Sequence, residues 1–541
     1  MNTHKGLAHG LSVVFIIYGL ALMLVAVTVQ TAFALPLAYT LSAVVSPTGA
    51  GSVTPSSGTY YRNSTVRMAA VPKACYAFDH WEGSLSGKTN PASYRFSSSN
   101  SKVTITAVFK STCASQPPSP PSVSSHFEVV GYFTEWGVYD QPYYVKNIVT
   151  SGSADKLTVL NYAFGIPNLN STGVVACQIH DPYAAYQQTY STSQSVDGVA
   201  DVSNQPLRGN FNQLKKLKAM YPNLKIVISI GGWSGSMYFS DAALTAASRS
   251  AFVKSCIDLF INGNLPVQNG AGGTGVAAGI FDGIDLDWEF PVSDGATGTH
   301  HNVNDASNYT LLLAEFRKQF GALGRADLLL TMAAPGSEYD AQNFQMSAYH
   351  HYLDYVEVMT YDFHGDWNTA TGHHANLCTS SSDPASASAR SVDKTVKLYR
   401  DKYGVPSSKI LPGAAFYGNG WSQVGGTNNG LYQSAGGSAA GKYEQGSEYY
   451  RDLVPKLSSG FVQYWDNLSK AAWMYSIRDH TFWTYDEPKS LALKAQYIKN
   501  YSLGGITFWD ISGDDDQGQL VSTLYNGLQP TAAASDPCAG N

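Results

Sequence analysis

Charge is scarce in this sequence. Only 14% of the residues are Asp, Glu, Lys or Arg, and the balance is slightly acidic, with a net charge of −6. A chain without basic excess lacks the field that gathers phosphate backbones, which argues against nucleic acid as its main partner. Cysteine is sparse too: the six, Cys75, Cys113, Cys177, Cys256, Cys378 and Cys538, contain no Cys-x-x-Cys spacing. No zinc centre is therefore expected, while disulfides are permitted, and Cys75 with Cys113 would close the N-terminal region on itself. Long apolar runs are missing with one exception, residues 11–29. That run follows a single lysine, Lys5, and precedes Ala32-Phe33-Ala34, the small-x-small form of a secretory cleavage site. Residues 1–34 are expected to be a signal peptide cleaved after Ala34, although nineteen mostly apolar residues also just suffice for an uncleaved anchor. Either way the rest of the chain is expected outside the cytoplasm, and after cleavage no stable membrane association is expected.

Aromatic residues and glycine are abundant. The chain has 12% aromatics, including 35 Tyr and 10 Trp, with 50 Gly. A neutral surface rich in aromatic rings suits stacking on the apolar faces of sugars. The 44% apolar content is that of an ordinary folded protein, and 541 residues exceed one typical core. At least two domains are expected, one of them large enough to be a barrel.

Residues 35–113 carry short alternating runs at 52–54, 65–68 and 103–109, separated by Gly, Pro, Ser and Asn. They read as a small all-β module. Within it, Tyr60, Tyr61 and Trp81 offer either a sugar-binding strip or buried packing. Residues 114–126 include Ser115-Gln-Pro-Pro-Ser-Pro-Pro-Ser122, an extended proline-rich connector that marks a domain boundary.

Residues 127–529 repeat one theme, a short apolar run followed by a stretch of helical spacing. The runs are 129–136, 157–164, 225–233, 280–290, 328–334, 355–363, 410–417 and 505–510, with helices expected at 211–220, 248–262, 306–321, 392–403 and 488–501. Runs buried on both faces belong to parallel sheets, and eight βα units predict an α/β (β/α)8 barrel whose functional groups gather at the C-terminal strand ends. About 90 residues separate the last two strands, too many for one helix. Residues 431–486, with alternating Tyr443, Tyr449, Tyr450, Tyr464, Trp465, Trp473 and Tyr475, predict a small α+β insertion forming one wall of a cleft. Residues 530–541 read as a tail.

The fourth run concentrates the chemistry. Phe-Asp-Gly-Ile-Asp-Leu-Asp-Trp-Glu-Phe at 281–290 places four acids within eight residues, among apolar side chains. A strand alternates its faces, so Asp285, Asp287 and Glu289 are expected on one side and Ile284, Leu286 and Trp288 on the other. At roughly 3.3 Å rise per residue, neighbouring acids in that row stand about 7 Å apart at the backbone. Desolvation and mutual repulsion then keep at least one carboxyl protonated, as a general acid requires. Asp282 has the opposite parity and reads as structural. Asp514-Asp515-Asp516 resembles a cation-binding cluster only in composition and reads as a solvated loop, and the group His364, His373 and His374 has no spacing that makes a convincing metal site.

Asp282-x-x-Asp285-x-Asp287-x-Glu289 resembles the signature of family-18 glycoside hydrolases, the chitinases and their relatives. Ser229-Ile-Gly-Gly232-Trp233, Met359-Thr-Tyr361-Asp362 and Phe508-Trp509-Asp510 agree with it in the expected order. Tyr132, Trp136, Phe290, Trp367 and Tyr417 also fit, and the insertion resembles that of bacterial chitinases. Residues 51–60 with 77–83 and 107–109 resemble bacterial InlB-type repeats. The resemblance implies a secreted, monomeric, cofactor-free enzyme acting on β-1,4-linked N-acetylglucosamine polymers, with no metal. It implies Glu289 as acid and base, Asp287 on the acetamido N–H, and Asp285 sharing a proton with Asp287. It further implies Tyr361 on the acetamido oxygen, Asp362 beneath the distorted ring, Met359 shaping the pocket, and Trp509 as floor. Trp233 and Trp367 are expected as stacking platforms on the leaving-group side. Gly231 and Gly232 are expected either to let backbone and substrate approach closely or merely to make a turn. A chitin-binding lectin and an endo-β-N-acetylglucosaminidase acting on N-glycans are the alternatives, and the Glu at position 289 disfavours the lectin.

Overall fold

The computed structural model describes residues 38–73, 76–97, 101–111, 127–384, 389–530 and 535–539. The expected signal segment, the 114–126 connector and the Cys75–Cys113 pairing lie outside these residues. The chain divides into two compact units at residue 116.

The N-terminal unit is all-β. Ala38–Ser46 runs between Ser57–Tyr61, antiparallel, and Lys102–Ser111, parallel, and Tyr76–Gly83 completes a four-stranded sheet. Gly51–Thr54, Thr65–Pro72 and Ala92–Arg95 form a second sheet of three. In Lys102–Ser111, Val103, Ile105, Ala107 and Phe109 all point into the core, as a period of two requires. Trp81 is 1% exposed with its indole N–H on the Thr89 carbonyl, and Tyr60 stacks on Phe96. Of the three aromatic residues weighed for a sugar strip, packing claims these two, and only Tyr61 is left open.

The second unit is a closed barrel of eight parallel strands: β1 (Glu128–Thr134), β2 (Val159–Leu169), β3 (Lys225–Gly231), β4 (Gly283–Asp287), β5 (Leu329–Pro335), β6 (Val356–Met359), β7 (Ile410–Ala415) and β8 (Gly505–Trp509). Each pairs with the next, and β8 pairs with β1 to close the ring. Helices include Gly209–Met220, Ala246–Cys256, Asp305–Ala322, Val392–Lys397 and Pro488–Asn500, close to the predicted spans. Thr245 and Ser248 form a capping box at the second, and Pro488 opens the last at the first-turn position where its missing N–H is harmless. Disulfides join Cys177 to Cys256 and Cys378 to Cys538. Among the described residues no helix is long and apolar enough to cross a membrane.

Strand parity layers the barrel interior. Val130, Val159, Val227, Tyr355 and Leu411 cluster at its N-terminal end. Two residues further along their strands come Tyr132, Asn161, Ser229 and Glu357, with Asp285, Thr331 and Thr507 alongside from β4, β5 and β8. An apolar plug thus carries a polar layer. Facing the other way, Ile284, Leu286 and Trp288 are buried against the helices, with Trp288 packed on Phe239 and Tyr309.

Two boundaries differ from expectation. β4 ends at Asp287, so Glu289 stands two residues beyond the strand rather than within it. The insertion begins at residue 417, not 431: Tyr417–Ser422 leaves the barrel to pair with Thr481–Tyr485, which continues through Ala471–Ser476 to Val462–Asp466. The apolar run 410–417 crosses from one sheet to another at Phe416, and a continuously apolar run carries no mark of the change. Trp421, Trp473, Tyr475 and Phe482 form the insertion's own core.

Candidate active site

The C-terminal strand ends open into a cleft of about 870 Å³, joined to a second cavity of about 520 Å³. Trp233, Glu289, Met359, Tyr361, Asp362 and Trp367 line both, which places Glu289 at their junction. The insertion supplies a wall through Tyr443, Glu444, Gln445 and Tyr449.

The acids of the β4 stretch meet very different surroundings. Asp285 is fully buried in the polar layer and accepts hydroxyls from Ser229 at 2.7 Å, Tyr132 at 3.0 Å and Thr331 at 2.7 Å. Burial raises its pKa, and the hydroxyls work against that rise. Asp287 is 5% exposed, and its Oδ1 is buried with no hydrogen-bond partner. Burial first, then the charges of Glu289 and Asp285, push its pKa far above the usual carboxylate range. Glu289 is held by its backbone N–H on Ser236 Oγ at 3.0 Å, and Ser236 Oγ also lies 3.0 Å from the Asp287 carbonyl. Burial, with Asp362 and Asp340 nearby, raises Glu289 to about 8. It therefore carries a proton at neutral pH at the mouth of two cavities, the condition for a general acid. Asp282, by contrast, pairs with Lys218 at 2.6 Å and caps the Ile226 N–H at 2.9 Å, the structural role its parity indicated.

Asp362 follows β6 with a positive φ of 55° and opens to the cleft. Tyr417 donates to its Oδ1 at 2.7 Å and Asn419 at 3.0 Å, and the buried His374 lies 3.7 Å away. Burial alone would raise its pKa, but His374, Tyr417 and Asn419 outweigh that and hold it low. Burial and the neighbouring acids raise Tyr361 well above the usual phenol range, so its hydroxyl remains a donor. Trp509 packs with Tyr132, Trp136 and Phe164 at the cleft floor. Trp233 and Trp367 are 56% and 62% exposed, and Phe290 packs edge-on against Trp233 in the second cavity.

Gly231 and Gly232 do not line either cavity. A Cβ on Gly231 would stand 2.1 Å from the Asp287 carbonyl oxygen, and Gly232, whose N–H donates to that oxygen at 2.9 Å, has its own Cβ space filled by Phe164. Both have positive φ. Their absent side chains let the ends of β3 and β4 meet, a packing role in place of direct substrate approach.

Sequence reasoning passed over Ser236, Phe164, Asn419 and Glu357, all part of this arrangement. Glu357 was visible as an acid inside an apolar strand, on the same face as Met359. The three histidines make no metal cluster, and no such group occurs among the described residues. His373 faces Asp466 at 3.4 Å, and His364 bonds the His373 carbonyl. Asp514 instead caps the helix Gln519–Leu528, accepting the N–H groups of Leu520 and Val521.

Residues 128–514 match the sequence profile of glycosyl hydrolases family 18. The chain belongs to family 18. Residues 39–113 match the divergent InlB B-repeat domain, as the N-terminal pattern indicated. Among family-18 relatives, chitinase C of Streptomyces lividans is 40% identical over 397 residues, covering 72% of this chain and 58% of that protein. The catalytic domain of psychrophilic chitinase B from Arthrobacter TAD20 superposes with a TM-score of 0.70 at 38% identity, covering 77% of this chain and 98% of that domain. A family-18 N-acetylglucosaminidase from Paenibacillus barengoltzii superposes at 0.56 with 31% identity, over 74% of this chain and all of that one. The chain spans less than two thirds of the length of the first curated relatives it matches. The family barrel is therefore the shared part.

Proposed function

We propose that the chain is a secreted chitinase that hydrolyses β-1,4-linked N-acetylglucosamine polymers with retention of configuration, by substrate-assisted catalysis. The observation that carries this reading is the protonated Glu289 at the junction of the two cavities, with Asp287 buried beside it and Tyr361 presenting a hydroxyl. A cleft lined by aromatic rings on both sides of the acid suits a linear sugar chain, and the chitinases among its relatives point to the same polymer.

In this scheme Glu289 protonates the glycosidic oxygen and later takes a proton from the incoming water. The 2-acetamido oxygen of the sugar in the −1 position attacks its own anomeric carbon as the C–O bond to the leaving sugar breaks, giving an oxazolinium ion. Asp287 accepts the acetamido N–H and balances the positive charge, and Asp285 shares its proton. Tyr361 orients the acetamido oxygen, Asp362 supports the distorted ring, and Trp509 is the floor. Trp233 and Trp367 carry the leaving-group side, Trp136 and Tyr132 the other, while Met359, Phe290 and Tyr417 shape the walls. No metal or cofactor enters the scheme. Residues 1–34 direct export, and the enzyme acts as a monomer.

Product analysis on soluble chitin oligomers tests the reading. Cleavage to products released as the β-anomer is expected, and oligomers with a free amine in the −1 position should not turn over. Equal cleavage of the deacetylated oligomers overturns acetamido participation. Release of sugar from N-glycans without cleavage of chitin oligomers establishes the endo-β-N-acetylglucosaminidase instead, and tight oligomer binding without turnover establishes the lectin.

A further inference from the structure

Glu357 is a buried acid with no part in the scheme above. It sits in β6, 1% exposed, two residues before Met359, and its side chain reaches the floor of the main cleft. Asn161 donates to Oε1 at 2.9 Å and Thr507 to Oε2 at 2.7 Å. The Tyr132 hydroxyl, which donates to Asp285 at 3.0 Å, belongs to the same polar layer as Glu357 and lines the same cleft. A hydroxyl has one proton to give, so once ionised Glu357 would be a second acceptor for a donor that Asp285 already uses.

The titratable groups around Glu357 are Tyr132 from β1, Asp285 and Asp287 from β4, and Tyr355 and Tyr361 from just before and just after its own strand. Opposite it, β5 contributes Ala333 and β7 Leu411. β2 and β8 contribute the neutral Asn161 and Thr507. None of these is cationic. Such an acid gains nothing structurally over an amide, because glutamine could accept from Asn161 and bond Thr507 without a charge to bury. What the amide lacks is a proton to lose.

We propose that Glu357 is a positioning residue of the carboxylate row: it competes with Asp285 for the Tyr132 hydroxyl and thereby sets the alkaline limit at which the row gives up its proton. Burial, with Asp285 second, raises Glu357 to about 8, so it is neutral where the row works and ionises as the pH rises beyond. The proton leaves to solvent, and the new anion makes Asp285 and Asp287 hold theirs more firmly. Coupled groups of this kind lose protons as a set. This inference deepens the reading of the site as a proton-donating glycosidase and rests on it.

The test is the pH profile of kcat/KM on a chitin oligomer for the full chain and for Glu357→Gln. Below neutral pH both side chains are uncharged, so the acid limb should keep its midpoint. The alkaline midpoint should fall by about half a pH unit or more, roughly threefold in rate on that limb. Tyr132→Phe, which removes the hydroxyl on Asp285 but keeps Glu357, should move the same limb. Superimposable profiles, or a uniform loss at every pH, overturn the proposal. A second readout needs no turnover: the C=O stretch of protonated carboxyls in difference infrared spectra, followed against pH on the free protein. Glu357→Gln should remove one titrating band and shift the titration of those that remain, with Glu289→Gln assigning the acid's own band. If the remaining bands titrate unchanged, the coupling is absent. If no oligomer is cleaved by the parent chain, the functional reading fails and the infrared shift alone decides for or against the coupling.

Discussion

The two ends of the fourth barrel strand carry the same kind of side chain and put it to opposite uses. At the N-terminal end Asp282 faces Lys218 and a backbone N–H, two donors that tie it into the fold. Beyond the C-terminal end Glu289 has only acids for nearby charges and is raised to about 8. Asp285 and Asp287 stand between, the first supplied with three hydroxyls and the second with an unpartnered buried oxygen. A carboxylate is stabilised where donors reach it and protonated where only burial and other carboxylates do. The strand thus runs from anchor to acid within eight residues.

The comparison breaks most visibly at the acid end. Glu289→Gln should lower turnover of chitin oligomers by about 10²–10⁴-fold, measured by product release, while oligomer binding stays within a few-fold. Comparable turnover by the variant would take the proton donor's role away from Glu289.

The same substitution should stabilise the fold at high pH. Glu289 has an ordinary carboxylate value of 4.5 when unfolded and about 8 when folded, so its stability contribution is complete below pH 4.5 and lost as the pH rises through 8. By chemical denaturation, Glu289→Gln should gain about 1–3 kcal/mol on the parent between pH 4.5 and pH 9. A difference that does not change with pH would mean that Glu289 is not held protonated.

At the anchor end, Asp282→Ala leaves Lys218 and the Ile226 N–H without their partner, at a cost of about 1–3 kcal/mol in urea unfolding. Activity measured well below the melting temperature should remain within about twofold. A loss of turnover rivalling that of Glu289→Gln would erase the division between the ends. The smallest effect is expected away from the strand, at Trp367→Ala: about 1 kcal/mol, read as a several-fold rise in KM with kcat little changed.

Much of this was legible before any coordinates. The eight strands emerged from apolar runs because both faces of a parallel strand are buried, and the row of acids emerged from a period of two. Glu289 was placed within the strand, but pairing stops at Asp287 and the acid is carried by a loop that Ser236 holds. That bond crosses 53 residues, so it left no local signature. The insertion's true start was hidden for the same reason: residues 410–417 are apolar and buried without interruption while the chain changes sheets. Trp233 and Trp367 follow strand ends, where exposed rings can line a cleft, whereas for Gly231 and Gly232 the sequence left close approach and a turn equally open, and only the folded chain shows their contacts with Asp287 and Phe164. Glu357 was passed over because one acid in an apolar strand acquires meaning only when the residues facing it are known.

By itself the sequence determined the barrel, the order of its strands, the all-β module ahead of it and the parity that sends Asp285 and Asp287 inward. These follow from local alternation, since a side chain's face depends only on its position along its own strand. Tertiary structure decided which acids are anchors, which are kept neutral, and which receive hydroxyls from other strands. Protonation depends on the loss of water and on charges and donors brought from other strands, and those distances exist only after the ring has closed.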